Sequence, residues 1–229
     1  MPTDTASTPA RRRPRHDPRD TEREILDAAE RFLHEHPFRE LTVQTVMAQT
    51  GLKRPAFYVH FRDRHDLALR VVERIRGELV TASGRWLDGQ DASADLRTAL
   101  EGVAAVYVQH GPVLRALSDA SGSDATVESA YRALVQDFVD ATARRIRAEQ
   151  ATGGVPGIDP DETARALVWL NESYLRDALG RTPTADPSTV VDVIEHIWTA
   201  TLYGSRPALS SAGSTAGQLN TAVRRSPTD

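Results

Sequence analysis

The sequence predicts an all-α chain, and three observations carry the prediction. Apolar residues recur at three- and four-residue spacing along most of the chain, the period of a helix with one buried face. Helix-start signals are frequent, and two of them place Pro at the first helical position after an Asp (Asp159-Pro160, Asp186-Pro187). No segment alternates apolar and polar residues over a strand's length.

The elements follow in order. Residues 1–19 are rich in Thr, Pro, Ala and Arg, include Arg11-Arg12-Arg13-Pro14-Arg15, and are expected to be disordered. A first helix should start at Thr21, where Thr21-Glu22-Arg23-Glu24 has the form of a capping box. Ile25, Ala29, Phe32 and Leu33 supply its buried face, and His36-Pro37 ends it. Thr42 caps a second helix, with Leu41 stapled onto Val46. Gly51 follows it, where a left-handed residue is wanted. A third helix begins near Lys53, with Pro55 in its first turn and Phe57 and Phe61 facing the core. Asp63 caps a fourth, carried by Leu67, Val71, Ile75 and Leu79.

Beyond a polar link at Trp86–Asp91, Ser93 caps a helix bearing Leu96, Leu100, Val103 and Tyr107, which Gly111-Pro112 should break. A short helix to Leu117, a polar stretch to Asp124 and a long helix near 126–149 come next. The Gly-rich residues 151–158 form a loop that lacks the Gly-Lys-Ser/Thr of a phosphate loop. Helices from Asp159 to Leu179 and from Asp186 to about Tyr203 complete the set, and residues 205–229 read as a disordered tail.

Composition narrows the function. There is no cysteine, so no disulfide and no thiolate metal site, a usage that fits a reducing cytoplasm. No apolar run approaches the roughly 20 residues of a membrane span. The seven histidines are scattered, no His/Asp/Glu cluster has metal spacing, and no nucleophile motif appears, so neither catalysis nor a cofactor is expected. The net charge of −4 is unevenly spread: residues 1–76 carry 15 Lys+Arg against 12 Asp+Glu, and the remainder 13 against 20. The N-terminal third is therefore the part suited to a phosphate backbone. The basic arm could reach along DNA or simply be a solvated tail.

Leu41–Leu67 carries the chemistry. Two short helical patterns flank Thr50-Gly51-Leu52, and the second is aromatic and basic: Lys53, Arg54, Phe57, Tyr58, His60, Phe61, Arg62, Arg64. That suits a helix-turn-helix with an exposed recognition helix. The Tyr58 hydroxyl among cations suits a phosphate oxygen, and the first turn of the fourth helix offers N–H groups and Arg64 to another.

With Thr42, Gly51-Leu52, Phe57-Tyr58-Val59-His60-Phe61 and Leu67 in place, the chain resembles the TetR family of transcriptional regulators. In the C-terminal half, Asn171-Glu172, Leu175, His196-Ile197-Trp198 and Tyr203-Gly204 resemble a mycobacterial repressor within that family. The resemblance implies a three-helix DNA-binding domain over residues 20–66. It implies a ligand-binding and dimerisation domain of about six helices over residues 67–204, with the last two helices pairing across a homodimer. Position by position it implies DNA contacts from Thr42, Gln44, Lys53, Arg54, Pro55, Tyr58, His60 and Arg64. Lys53 stands where a capping Ser or Thr is common, which weakens the cap and adds a cation.

One polar residue interrupts an apolar stripe. Asn171 lies among Ala164, Leu167, Val168, Leu175 and Ala178 on one helix. A buried amide without partners costs roughly 1–3 kcal/mol, so a neighbouring group, a dimer contact or a ligand must satisfy it. The resemblance favours a ligand anchor. Tyr107, Tyr131, Phe138, Trp169, Tyr174 and Trp198 are the candidate walls, each of which could equally be ordinary core. The expected partners are a double-stranded DNA operator, a small apolar effector and a second copy of the chain, with no membrane. A repressor, an activator and a sequence-independent DNA-coating protein all remain compatible with these residues.

Overall fold

The structure, a computed structural model, describes residues 17–89, 92–181 and 184–204. The greater part of the basic arm and all of the tail at 205–229 lie outside the described residues. Among the described residues, eight α-helices follow one another: α1 Pro18–Glu35, α2 Val43–Met47, α3 Arg54–His60, α4 Arg64–Asp88, α5 Ala92–Ser121, α6 Ala125–Ala151, α7 Pro160–Leu179 and α8 Pro187–Leu202. A 3-10 turn, Phe38–Glu40, links α1 to α2.

Helix starts obey a single physical rule. Asp17, Asp63, Asp124, Asp159 and Asp186 each accept main-chain N–H bonds in the first turn, and Pro18, Pro160 and Pro187 occupy positions whose N–H has no helical partner. The same Asp-Pro signal moves the start of α1 from Thr21 to Pro18. Thr21 is buried inside the helix, and the last residues assigned to the arm are helical.

Two expected breaks are absent. Helix α4 runs through the proposed polar link to Asp88, because Trp86 is buried and packs edge-on against Trp198 at 5.2 Å. Helix α5 runs through Gly111-Pro112 without interruption. Pro112 frees the carbonyl of Val108, and Val108 is exposed, so water can take that carbonyl. Gly111 is retained for packing: a Cβ there would lie 2.7 Å from the Gly180 Cα. Two predicted helices are therefore one, and α4–α8 make five helices where about six were expected.

Helix α5 is the hub, packing on α1, α4, α6, α7, α8 and the 3-10 turn. Helix α3 packs on α2 and α1. One continuous apolar core joins these parts, from Ile25, Phe57 and Phe61 through Leu67, Val71 and Ile75 to Leu114, Leu175 and Ile194.

Candidate DNA-binding face and internal pocket

The face begins with a capped α2. Thr42 Oγ1 accepts the Thr45 N–H at 3.0 Å, and Thr45 Oγ1 accepts the Thr42 N–H at 2.9 Å, a reciprocal box. Thr45, the second half of that box, was not singled out from the sequence. The turn to α3 is built differently from expectation. Gly51 does not have a positive φ, which among the described glycines falls to Gly153 alone. Its N–H instead donates to Glu24 Oε1 at 2.9 Å, and the Thr50 hydroxyl bridges the Met47 carbonyl and the Leu52 N–H. Glu24, expected to serve its own helix end, thus reaches from α1 to cap the turn.

Helix α3 then presents its outer side. Lys53 is its N-cap position and makes no side-chain cap bond. Lys53, Arg54, Pro55 and Tyr58 are exposed, as are Thr42 and Gln44 at α2. Tyr58 is 52% exposed, whereas Phe57 one residue earlier is fully buried. Arg54 Nη2 donates to the Tyr58 hydroxyl at 3.1 Å, fixing the two side chains as a pair. His60 is half-buried at the helix end.

The start of α4 is more occupied than expected. Asp63 takes the N–H groups of His65 and Asp66 at 2.8 and 2.9 Å, and the Arg62 N–H donates to Asp66 Oδ2. The two bonds to Asp63, that from the Asp66 N–H first, hold its carboxyl below its usual range. The N–H groups thought available to a phosphate are therefore partly spent. Arg64 is half-buried over the Phe38 ring, with Nη1 3.4 Å from the Leu41 carbonyl and 3.5 Å from that of Arg39. It braces the link into α2.

A cavity of about 100 Å³ lies between α4, α5, α6, α7 and α8. Tyr107, Tyr131, Phe138, Asn171 and Trp198 line it. Trp169 and Tyr174 do not; both pack half-buried at the edge of the core, because they flank, on either side, the α7 stripe of Val168, Asn171, Glu172 and Leu175 that faces the cavity. Asn171 Oδ1 accepts the Trp198 Nε1–H at 2.9 Å, so a neighbouring side chain satisfies its carbonyl. The walls also include Leu79 and Trp86 of α4, which had been assigned to a helix and a link, and Thr142 of α6.

One end of the cavity is polar. Glu172, only 7% exposed, lines it and accepts bonds on Oε1 from the Tyr131 hydroxyl and from Arg176 Nε, the latter at 2.8 Å. Burial first, then the Glu172 charge, pushes the Tyr107 hydroxyl well above its ordinary pKa, and burial does the same to Tyr131. Both phenols therefore keep their protons at neutral pH. Helical spacing marks Glu172 as the neighbour of Asn171, but nothing in the sequence says that its charge turns inward.

A second polar cluster joins α1 to the bundle. Buried His110 of α5 sits 3.4 Å from Glu30 Oε2 on α1 and 3.0 Å from Glu78 Oε2 on α4. Arg74 of α4 pairs with Asp27 at 2.7 Å and with Glu30 at 2.5 Å. No group of described side chains has the makings of a metal site, and no described helix is long and apolar enough to cross a membrane.

Comparison with known proteins matches these two regions separately. The family model for bacterial regulatory proteins of the tetR family matches residues 25–71, and that for the C-terminal domain of the transcriptional regulator EthR matches residues 96–204. The HTH-type transcriptional regulator EthR of Mycobacterium tuberculosis is 29% identical over 191 residues, covering 81% of this chain and 88% of the relative. Its counterpart in Mycolicibacterium smegmatis is 27% identical over 192 residues, covering 82% and 88%. Among solved structures, a SmeT–triclosan complex has the same fold, with a TM-score of 0.68 at 24% identity over 79% of this chain and 90% of that one.

Proposed function

This chain belongs to the TetR family of bacterial regulatory proteins, and from that premise we propose that it is a homodimeric, cytoplasmic transcriptional repressor released from its operator by a small apolar ligand. Residues 20–66 are its DNA-binding domain and residues 67–204 its ligand-binding and dimerisation domain. Lys53, Arg54 and Tyr58 enter the major groove with α3, assisted by Thr42, Gln44, Pro55 and His60, while Arg64 sets the angle of the link that carries α2. The pairing of two copies through α7 and α8 puts two such helices on one face of the duplex.

A single observation carries the reading: one continuous helix serves both regions. Helix α4 opens at Arg64, against the carbonyls that lead into α2, and lines the cavity with Leu79 and Trp86. At 1.5 Å per residue, Arg64 and Leu79 are about 22 Å apart along it. The space present, about 100 Å³, is smaller than a typical small-molecule site. A ligand that fills it must push against α4, so it binds better to a conformation with displaced recognition helices, and that difference in affinity is what releases DNA. The name of the SmeT–triclosan structure records a small molecule on a protein of this fold, which supports the same reading here.

The test is a gel-shift titration with the DNA flanking the gene for this chain. Binding by a dimer, relieved by a compound that also raises the melting temperature of the free protein, is the expected result. Absence of binding at low salt would overturn the proposal.

A further inference from the structure

The cavity has a chemically distinct end, and its arrangement bears on which ligand it accepts. Along α6, Tyr131 and Thr142 mark the two ends of the lining stripe, eleven residues and therefore about 16 Å apart. The walls between them, including Leu134, Val135 and Phe138, are apolar. The lining thus extends along α6 for about three turns, an arrangement suited to an extended chain. At the Tyr131 end stands the Glu172 carboxylate. Arg176 lies behind it and does not line the cavity. The pair is neutral as a whole, but its negative end faces inward.

The hydrogen-bond capacity left over points the same way. Tyr131 and Arg176 both bind Glu172 Oε1, and Oε2 accepts no hydrogen bond among the described residues. The hydroxyl of Tyr107, a residue 6% exposed, has no protein partner among the described residues either, and that residue also lines the cavity. A carboxylate oxygen in an otherwise apolar space should be filled by a donor, since leaving it bare forfeits a charge-assisted bond. A second carboxylate would face the first across a medium of low dielectric, which opposes its ionised form.

We propose that Glu172 is the specificity-determining residue of the pocket: it selects long-chain amphiphiles with a hydrogen-bond-donating head, an amine, amide or alcohol, and excludes those ending in a carboxylate. The proposal rests on the reading of the cavity as the effector site. Tyr107 adds a second contact to the head group, and the wall from Val135 to Thr142 takes the chain. Because Arg176 is already present, removal of the Glu172 charge exposes a cation at the same place and reverses the preference.

The experiment measures binding of decylamine, decanol and decanoate to the full-length protein, by calorimetry and by tryptophan fluorescence, to which Trp86 and Trp198 in the cavity wall contribute. The wild type should bind decylamine and decanol at least about tenfold more tightly than decanoate, since a like-charge contact inside a binding site costs several kcal/mol. Glu172→Gln should bind decanoate better than decylamine. The paired replacement Glu172→Gln with Arg176→Gln guards against misfolding caused by an unpaired arginine, and should bind all three about equally. Equal binding of the three probes by the wild type, or a preference for decanoate, would overturn the proposal while leaving the effector site intact. Binding of none of them would remove the effector site and the proposal together.

Discussion

Arg54 and Arg64 are both arginines proposed to serve the DNA-binding unit, yet their surroundings give them different work. Arg54 is exposed and, among the described residues, tied only to Tyr58 on its own helix, which leaves its guanidinium open to an outside partner. Arg64 turns Nη1 toward the carbonyls of Leu41 and Arg39, 3.4 and 3.5 Å away. Replacement of Lys53 or Arg54 by Ala should therefore weaken operator binding by roughly 1–3 kcal/mol and relax base preference, with little change in melting temperature. Arg64→Ala should weaken binding to all sequences alike and also lower thermal stability. Gel shifts against a panel of operator variants, together with thermal melts, separate the two outcomes; uniform losses for all three variants would instead describe a sequence-independent DNA-coating protein. The sequence made both arginines visible, but their difference lies in carbonyls brought near Arg64 by the fold.

At the scale of elements, the junction of α1, α4 and α5 is held by charge. The His110 pKa is raised, first by its bond to Glu30 and despite burial, with Glu78 adding to the effect. Burial works to raise Glu30, but His110 and Arg74 outweigh it and hold that carboxyl low. A raised histidine contributes stability that is complete below its unfolded value of 6.5 and is lost as pH climbs through the higher folded value. A lowered carboxylate contributes above its unfolded value of 4.5 and fails as pH falls through the folded one. Stability should thus decline from about pH 6.5 upward, and again in acid from about pH 4.5 downward. His110→Gln should flatten the upper decline, which melts at a series of pH values would read. Helices α5 and α7 meet through glycines, and Gly111→Ala should cost about 1–3 kcal/mol, because the neighbour at 2.7 Å is backbone and cannot turn aside. An unchanged melting temperature would refute that account. From the sequence, Gly111-Pro112 reads as a helix end because its local chemistry is that of an end. The opposing Gly180 is 69 residues away in the chain, and no window of sequence contains both.

For the whole molecule, the proposed dimer makes its own demand. Leu170 of α7 and Val193 of α8 are 37% and 41% exposed, apolar surface that a second copy paired through α7 and α8 would cover. Val193→Asp should shift the protein toward monomer in size-exclusion chromatography and abolish operator binding, while the intact monomer keeps its helical content. The all-α class, most helix starts and the exposed side of α3 were determined by the sequence alone. They depend on interactions within one or two turns: a cap, a proline, the spacing of Phe57 and Phe61. Only the tertiary structure decided that Glu24 caps a turn on another helix, that α4 and α5 run through their apparent breaks, and that Glu172 rather than Trp169 or Tyr174 faces the cavity. Each of those depends on groups far apart in the chain meeting in space, where burial and distance set the energy and local sequence does not record it.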